Sequence, residues 1–476
     1  MNYRKIYAFL GIMCLACAAN AQNTANGIQD KSAKKEVAAP KFFVAADFSK
    51  SAGKMKPLHG VNNSPIVLDG EIPSFRDAGI PFVRLHDTGG KYGGACFVDI
   101  PNVFPNFDAD PEDPKSYDFA FTDALLKTLH NSGCEIFYRL GVTIENEWKI
   151  KAMRINPPKD NLKWAKICEG IIRHYNEGWA DGFHFNIKYW EIWNEPENPP
   201  MWTGTKEQYF ELYKVAANHL KKRFPDIKVG GYAGCGFYAV THPDWPPFHK
   251  SFVTYFNDFL KYITTSETAA PLDFFSWHLY AGDPYEIGKH AEYVASRLKH
   301  YGLGSAENIF DEWNCIDGGK DMYDRMKELP AALFVASAFC VMQKSPIDKA
   351  MYYVAEPESS YCGMYKYPSK DLAPPYFSFK AFNELYKLGT AVECSSAGAG
   401  IFTCAAVSVD GARGAVMIVN RNANDVYADF TFNGMGKVDS VLVLDRNYLL
   451  TEVGGLIKNG KILLPRQSVV VVRFSK

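Results

Sequence analysis

The sequence lacks the spacings on which metal, nucleotide and redox chemistry usually rest. Its 11 histidines form no HxxxH or HExxH set, so no metal centre is expected. Gly230 to Gly236 is glycine-rich and follows an apolar run, but its glycines do not space as GxGxxG, which argues against a dinucleotide cofactor. The acidic run Asp108–Asp113 offers carboxylates to calcium, yet a solvated loop explains it as well. No cofactor is implied. Of the 11 cysteines, Cys14 and Cys17 fall within the first 21 residues; the nine that remain, an odd number, are scattered with no CxxC pair. That excludes a dense disulfide framework while leaving an isolated bridge open.

Charge of one sign is also missing. Setting aside Arg4 and Lys5 leaves 50 basic against 53 acidic residues, a balance that supplies neither a nucleic-acid surface nor steering of a charged substrate. A neutral ligand fits better. Beyond the N-terminus no charge-free apolar run reaches the roughly 20 residues of a membrane span. Nothing in the sequence specifies an oligomeric state.

What is present begins with Arg4 and Lys5, an apolar stretch from Ile6 to about Ala19, and the small-x-small triplet Ala19-Asn20-Ala21. This reads as a secretory signal over 1–21, implying export to a periplasmic or extracellular space. Residues 22–40 are polar, lack apolar periodicity and read as a disordered leader. From 58 to 388 short apolar strands alternate with amphipathic helices. The strands begin near Leu58, Phe82, Glu135, Tyr189, Lys228, Phe274, Ile309 and Ala350. Eight such units predict an α/β fold, a (β/α)8 barrel of parallel strands. From 389 to 476 the texture is β alone, with a hairpin turning at Asp410-Gly411, and reads as a C-terminal β-sandwich accessory domain.

Two of the barrel strands end alike. Tyr189-Trp190-Glu191-Ile192-Trp193-Asn194-Glu195-Pro196 fills with strand-forming aromatics and stops at a proline that cannot join a ladder. Asn308-Ile309-Phe310-Asp311-Glu312-Trp313-Asn314 repeats the grammar of apolar strand, acid, aromatic and amide. Active sites of this barrel sit at the carboxyl ends of the strands, so Glu195 and Glu312, 117 positions apart in the chain, should meet there. Two convergent carboxyls suit glycoside hydrolysis, where a retaining enzyme holds them about 5 to 5.5 Å apart. Alternation along the strand is expected to send Asp311, the rival acid, to the opposite face from Glu312.

The Trp-Asn-Glu-Pro ending at Glu195 and the Glu-Trp-Asn at Glu312 resemble the catalytic strands of the clan A retaining glycoside hydrolases, and glycoside hydrolase family 39 in particular. The resemblance spans roughly Phe42 to Lys476. It implies a β-xylosidase-like hydrolase with Glu195 as acid/base and Glu312 as nucleophile, and a segment before the barrel (41–57) that pairs into the sandwich. Relatives with arabinosidase or iduronidase activity keep those sugars open, and a carbohydrate-binding protein on a barrel scaffold is the non-enzymatic alternative. By the same resemblance Asn194 would bond the sugar 2-hydroxyl and Arg84 would bear on Glu312. His86, His278, Tyr280 and Glu356 would line the sugar, with Glu358 competing for the role of Glu356. Burial and nearby negative charge are expected to raise the pKa of Glu195. Of the rim aromatics Trp202, Trp245 and Trp313, Trp313 is the first candidate for stacking on a sugar because it follows the nucleophile. Long loops after the second and fifth strands would wall a pocket that takes a chain end.

Overall fold

The computed structural model describes residues 42–86, 98–143, 155–199, 201–316, 318–319 and 321–476. The signal, the leader and Asp87, which with Arg84 and His86 is expected among the polar residues ending the second barrel strand, lie outside the described residues. The first described strand, β1 (Phe43–Lys54), leads into eight parallel strands that close on one another in chain order. These are β2 (Gly60–Asn62), β3 (Phe82–Leu85), β4 (Glu135–Leu140), β5 (Tyr189–Ile192), β6 (Lys228–Gly234), β7 (Phe274–Ala281), β8 (Glu307–Cys315) and β9 (Lys349–Tyr352). The expected (β/α)8 barrel is therefore present.

Helices cover the outside of the barrel, and their ends are written in the sequence. Asp160 accepts a hydrogen bond from the Lys163 amide to open Asn161–Glu177, and Gly178 closes that helix at φ 74°. Thr205 and Gln208 form a reciprocal capping box at the start of Lys206–Arg223.

Six large side chains seal the interior at its amino-terminal end: Phe82, Phe137, Tyr189, Phe274, Ile309 and Met351, one from each of six strands. The remaining strands supply glycine. A Cβ on Gly60 would lie 2.8 Å from the Ala350 carbonyl oxygen, and one on Gly230 would lie 2.1 Å from the Phe274 carbonyl oxygen. Absence of a side chain on β2 and β6 is what gives the six large ones room. This floor makes the barrel a packed core, closed below and usable only from the carboxyl ends above.

Nine further strands, β10–β18 between Gly389 and Ser475, join β1 in a ten-stranded sheet. Its two faces sort by strict alternation. On β11 (Ile401–Ser408) and β12 (Arg413–Asn420), Phe402, Cys404, Ala406, Ala415, Met417 and Val419 face the barrel core. Ile401, Ala405, Val407, Val416 and Ile418 form the separate core of the sandwich. Strand β1 lies between β10 (Gly389–Ala397) and β13 (Val426–Asn433), antiparallel to the first and parallel to the second.

The glycine floor makes a sharp prediction. Gly230→Ala should destabilise the protein by about 2 kcal/mol or more, because a methyl group there meets backbone rather than a movable side chain. Gly454→Ala, with nothing within 4 Å of its Cβ, should stay within about 0.5 kcal/mol of the parent. Urea unfolding of both variants measures the contrast.

Candidate active site

Counting by two up the strands from the apolar floor gives the next layer. Phe82, Phe137, Tyr189, Phe274 and Ile309 are followed by Arg84, Arg139, Glu191, Ser276 and Asp311, all fully buried. Above these lie His86, Asn194, Glu195, His278, Tyr280 and Glu312. The barrel thus passes from hydrocarbon through buried charge to an acid-lined mouth.

Arg84 on β3 is the hub of the middle layer. Its Nε donates to Glu191 Oε2 at 2.8 Å and lies 2.9 Å from Asp311 Oδ2; its Nη1 donates to Asn62 Oδ1 at 2.9 Å and to Glu312 Oε2 at 3.3 Å; its Nη2 donates to Asn194 Oδ1 at 2.8 Å. Burial opposes the guanidinium charge, but the carboxylates of Glu191, Asp311 and Glu312 more than offset this and raise its pKa. One cation cannot neutralise three buried anions, and the strain falls on Glu191. Burial, joined by the neighbouring Asp311 charge, pushes its pKa up to about 8 against the pull of Arg84. Glu191 is thus a neutral acid at moderate pH. For Asp311 the burial penalty is outweighed by Arg84 and His278, which hold its carboxyl down at about 2.

Asp311 and Glu312 are both drawn into the barrel, which corrects the alternation argument. Along the β7–β8 ladder Trp277 faces Phe310 while His278 faces Glu312, so Asp311 is an extra residue in a β-bulge. The bulge turns Asp311 toward Arg84 and re-aims Glu312 to the mouth. It also sends Trp313 outward. Trp313 is completely buried, packed edge-on against Phe339 and Tyr352 in the layer between barrel and helices, and cannot stack on a sugar. Trp202 is likewise structural, donating from its indole nitrogen to the Thr205 carbonyl and packing on Trp193. Trp245 is stacked on His242.

The end of β5 achieves a similar effect with backbone conformation. Trp193 and Glu195 adopt φ 73° and 45°, in the left-handed region that costs ordinary residues energy. Period-two alternation is lost, and consecutive Asn194 and Glu195 both come to the barrel mouth. The Glu195 amide donates to the carbonyls of Tyr232 and Ala233, which locks the turn.

Glu195 and Glu312 meet as expected, with His278 between them. One carboxylate oxygen from each and a ring nitrogen of His278 all lie within 4.8 Å of one another. Glu195 Oε1 is 2.6 Å from His278 Nδ1, and its Oε2 accepts from Asn198 Nδ2 at 3.0 Å. Glu312 Oε1 accepts from the Tyr280 hydroxyl at 2.6 Å, while Oε2 receives Arg84 and lies 3.6 Å from His278 Nδ1 and 3.9 Å from His86 Nε2. A small cation could bridge three such atoms, but the lone pairs are already engaged by Arg84, Tyr280, Asn198 and the imidazole, so the cluster reads as a hydrogen-bonded set.

The electrostatics at Glu195 overturn the expected direction. Burial does raise its pKa, but the hydrogen bond and charge of His278 outweigh it, and the net shift is downward. His278 moves the opposite way: burial opposes protonation, while Glu312, Asp311 and Glu195 raise its pKa well above the ordinary imidazole value. Glu197, two residues beyond Glu195, is pushed up to about 8, first by burial and then by the charge of Glu195.

The remaining expected residues cluster at the same mouth. The His86 backbone amide donates to Asn63 Oδ1, and the Asn63 Nδ2 donates to Glu356 Oε2 at 3.3 Å, which ties Glu356 to the β3 end. Glu358 pairs instead with Lys370 at 3.6 Å. Sequence reasoning overlooked Glu191 and Asn62. The signal for Glu191 was available: an acid in an otherwise apolar strand, an even step above Tyr189 of the floor.

Comparison with known proteins gives three findings. Residues 97–310 match the family described as glycosyl hydrolases family 39. A β-xylosidase from Caldicellulosiruptor saccharolyticus is 28% identical over 186 residues, 36% of this chain and 33% of that protein. The match thus spans about a third of that relative's own length. Among solved structures, a glucosidase from Croceicoccus marinus superposes with TM-score 0.68 at 20% identity, covering 92% of this chain and 99% of that one. A GH39 β-xylosidase from Caulobacter crescentus gives TM-score 0.63 at 17% identity, covering 91% and 100%. At these identities the superpositions speak for the fold.

The buried layer sets a pH dependence of stability. Because the Glu191 pKa rises from 4.5 to about 8 on folding, its contribution is whole below about pH 4.5 and is lost as pH climbs through 8. Glu191→Gln, which keeps the shape and cannot ionise, should match the parent near pH 5 and be the more stable protein at pH 8. Urea midpoints that fall in parallel for both proteins between pH 5 and 8 would show that Glu191 does not carry a buried proton.

Proposed function

Since the chain belongs, over residues 97–310, to glycosyl hydrolases family 39, we propose that it is a retaining, exo-acting glycoside hydrolase that releases a neutral pentose, xylose first, from a glycoside or oligosaccharide. The observation that carries this reading is the pair of buried acids with a Glu195 oxygen and a Glu312 oxygen within 4.8 Å. An inverting pair stands roughly 6.5 to 9.5 Å apart to admit water. The short spacing favours direct attack by one carboxylate on the sugar.

In this reaction Glu312 attacks the anomeric carbon. Arg84 and Tyr280 hold one oxygen each and so fix the direction of attack. Glu195 protonates the departing oxygen, then takes a proton from the water that hydrolyses the glycosyl-enzyme. Asn194, with its oxygen anchored on Arg84, presents its amide nitrogen as the donor to the sugar 2-hydroxyl, a contact that strengthens as positive charge develops at the anomeric carbon.

A neutral sugar is favoured over a uronic acid because Arg84 and His278 are already engaged by Glu191, Asp311, Glu312 and Glu195. A sugar carboxylate entering this acid-rich mouth would meet repulsion. Exo action rests on the sequence expectation that long loops after the second and fifth barrel strands wall a pocket; residues 87–97 of the first of these lie outside the described residues. Export belongs to the same reading and rests on the segment from Arg4 to Ala21. The secreted protein should begin at Gln22, and N-terminal sequencing that finds Met1 on it would remove the signal.

A panel of aryl glycosides decides between hydrolase and binding protein, since binding releases no phenol. Among sugars, xylosides should be cleaved fastest. Glu312→Gln should lower turnover by about 1,000-fold or more on every substrate. Glu195→Gln should cost about 100-fold or more with poor leaving groups and far less with activated ones. Equal losses on both kinds of substrate, or an inverted product by NMR, would count against the assignment.

A further inference from the structure

We propose that the general acid of this site is the Glu195–His278 pair, holding one proton across the Oε1–Nδ1 contact, and that consumption of the Glu312 charge drives this proton to the leaving group. The inference rests on the reading of Glu195 as acid/base and Glu312 as nucleophile. His278 acts through Glu195, as a residue that stores and positions the proton.

The geometry requires a shared proton. Nδ1 and Oε1 approach to 2.6 Å, too close for two bare lone pairs, so a hydrogen lies between them. The other ring nitrogen, Nε2, faces Asp311 Oδ1 at 3.6 Å, an orientation that favours a hydrogen on Nε2 as well. With Nε2 protonated, two descriptions remain: imidazolium beside carboxylate, or neutral imidazole accepting from a carboxylic acid. They contain the same number of protons and differ by a shift of less than an ångström along one hydrogen bond. The lining groups choose between them. Glu312 and Asp311 on β8 approach His278 at 3.6 Å each, and Glu195 closes the third side from the β5 end. From β3, Arg84 partly offsets Asp311 and Glu312, and His86 stands 3.9 Å from Glu312. Tyr280 on the same strand is tied to Glu312, and Glu197, with Cys235 donating its amide to it, lies behind Glu195. Carboxylates dominate this surround, so in the resting site the proton sits on the imidazole.

This balance changes during the reaction. As Glu312 forms its bond to the anomeric carbon, its negative charge is spent, and the imidazolium loses one of the anions that hold it. The Nδ1–H bond then breaks and an Oε1–H bond forms. Oε1 passes that proton to the glycosidic oxygen as the C1–O bond breaks with its electron pair going to oxygen. In the second half, water loses a proton to Oε1 and onward to Nδ1. Its oxygen bonds the anomeric carbon, and the departing Glu312 carboxylate restores the anion that stabilises the imidazolium. Attack and protonation are thereby coupled through one histidine.

The test uses His278→Asn, which retains an N–H donor near the position of Nδ1 but cannot hold the mobile proton. With alkyl glycosides or xylobiose, kcat/KM should fall about 100-fold, while the 2,4-dinitrophenyl xyloside should lose less than about fivefold. In the Glu195→Gln background the same substitution should add little, since the two residues form one unit. Equal losses on good and poor leaving groups, or losses that multiply in the double variant, would overturn the proposal while a leaving-group-dependent Glu195→Gln would still uphold the function of Glu195. A second measurement needs no variant of His278. In the full-length enzyme at pH 7, histidine-labelled NMR should show His278 as imidazolium in the free protein and neutral once a 2-fluoro xyloside has esterified Glu312. An unchanged ring would equally overturn it.

Discussion

A single fully buried guanidinium, that of Arg84, sets the terms for everything above the barrel floor. Moving an ion of that size from water into the protein interior costs several kcal/mol even after relaxation, and only well-placed anions offset it. Arg84 therefore draws in Glu191, Asp311 and Glu312 together with the amide oxygens of Asn62 and Asn194. The anions outnumber the cation. The structure absorbs the excess by keeping Glu191 protonated and Asp311 ionised, which the opposite directions of their pKa shifts record. A hydrophobic core of similar volume would give comparable stability with less risk. What the charged layer adds is direction, because Arg84 fixes both Asn194 and Glu312 from below.

That direction depends on local breaks in regular structure. A regular strand offers one inward side chain in every two residues, yet the site needs Asn194 beside Glu195 and Asp311 beside Glu312. On β5 the left-handed conformations of Trp193 and Glu195 supply the exception; on β8 the bulge at Asp311 does. Both lie at carboxyl ends, above a floor whose six large side chains and two glycines are regular. The regular part confers rigidity and the irregular part confers aim.

The same division governs what could be read from the sequence. The eight strands and the C-terminal hairpin were legible because apolar periodicity is a local signal, and the two acids were legible because each sits where such a strand stops. Asp311 escapes period-two reasoning for a physical reason: alternation assumes an unbroken ladder, and the bulge turns Asp311 and Glu312 to the same side. Trp313, chosen for its place next to the nucleophile, takes the outward face that alternation from Glu312 gives it. Glu191 was passed over because an acid in a buried strand looks like an anomaly until Arg84 is seen opposite it. The pKa of Glu195 was assigned the wrong direction because burial can be guessed from a strand end, whereas the imidazole 2.6 Å away comes from a residue 83 positions along the chain.

Charge counting links these layers to the chemistry. At the mouth, Glu195 and His278 share one proton and together are neutral whichever partner holds it. Beneath them Arg84 and Asp311 cancel, and Glu191 is neutral because it keeps its proton. Within this set what remains uncompensated is the carboxylate of Glu312, hydrogen-bonded by Tyr280 and Arg84 but not neutralised by a cation of its own. Glu312 is 7% exposed, and its charge lies where positive charge would develop on a sugar ring, already oriented before substrate arrives. Among the acids tied to Arg84 and His278, the surplus thus reduces, through one arginine, one histidine and one buried proton, to the charge of Glu312 in the place where the proposed reaction requires it.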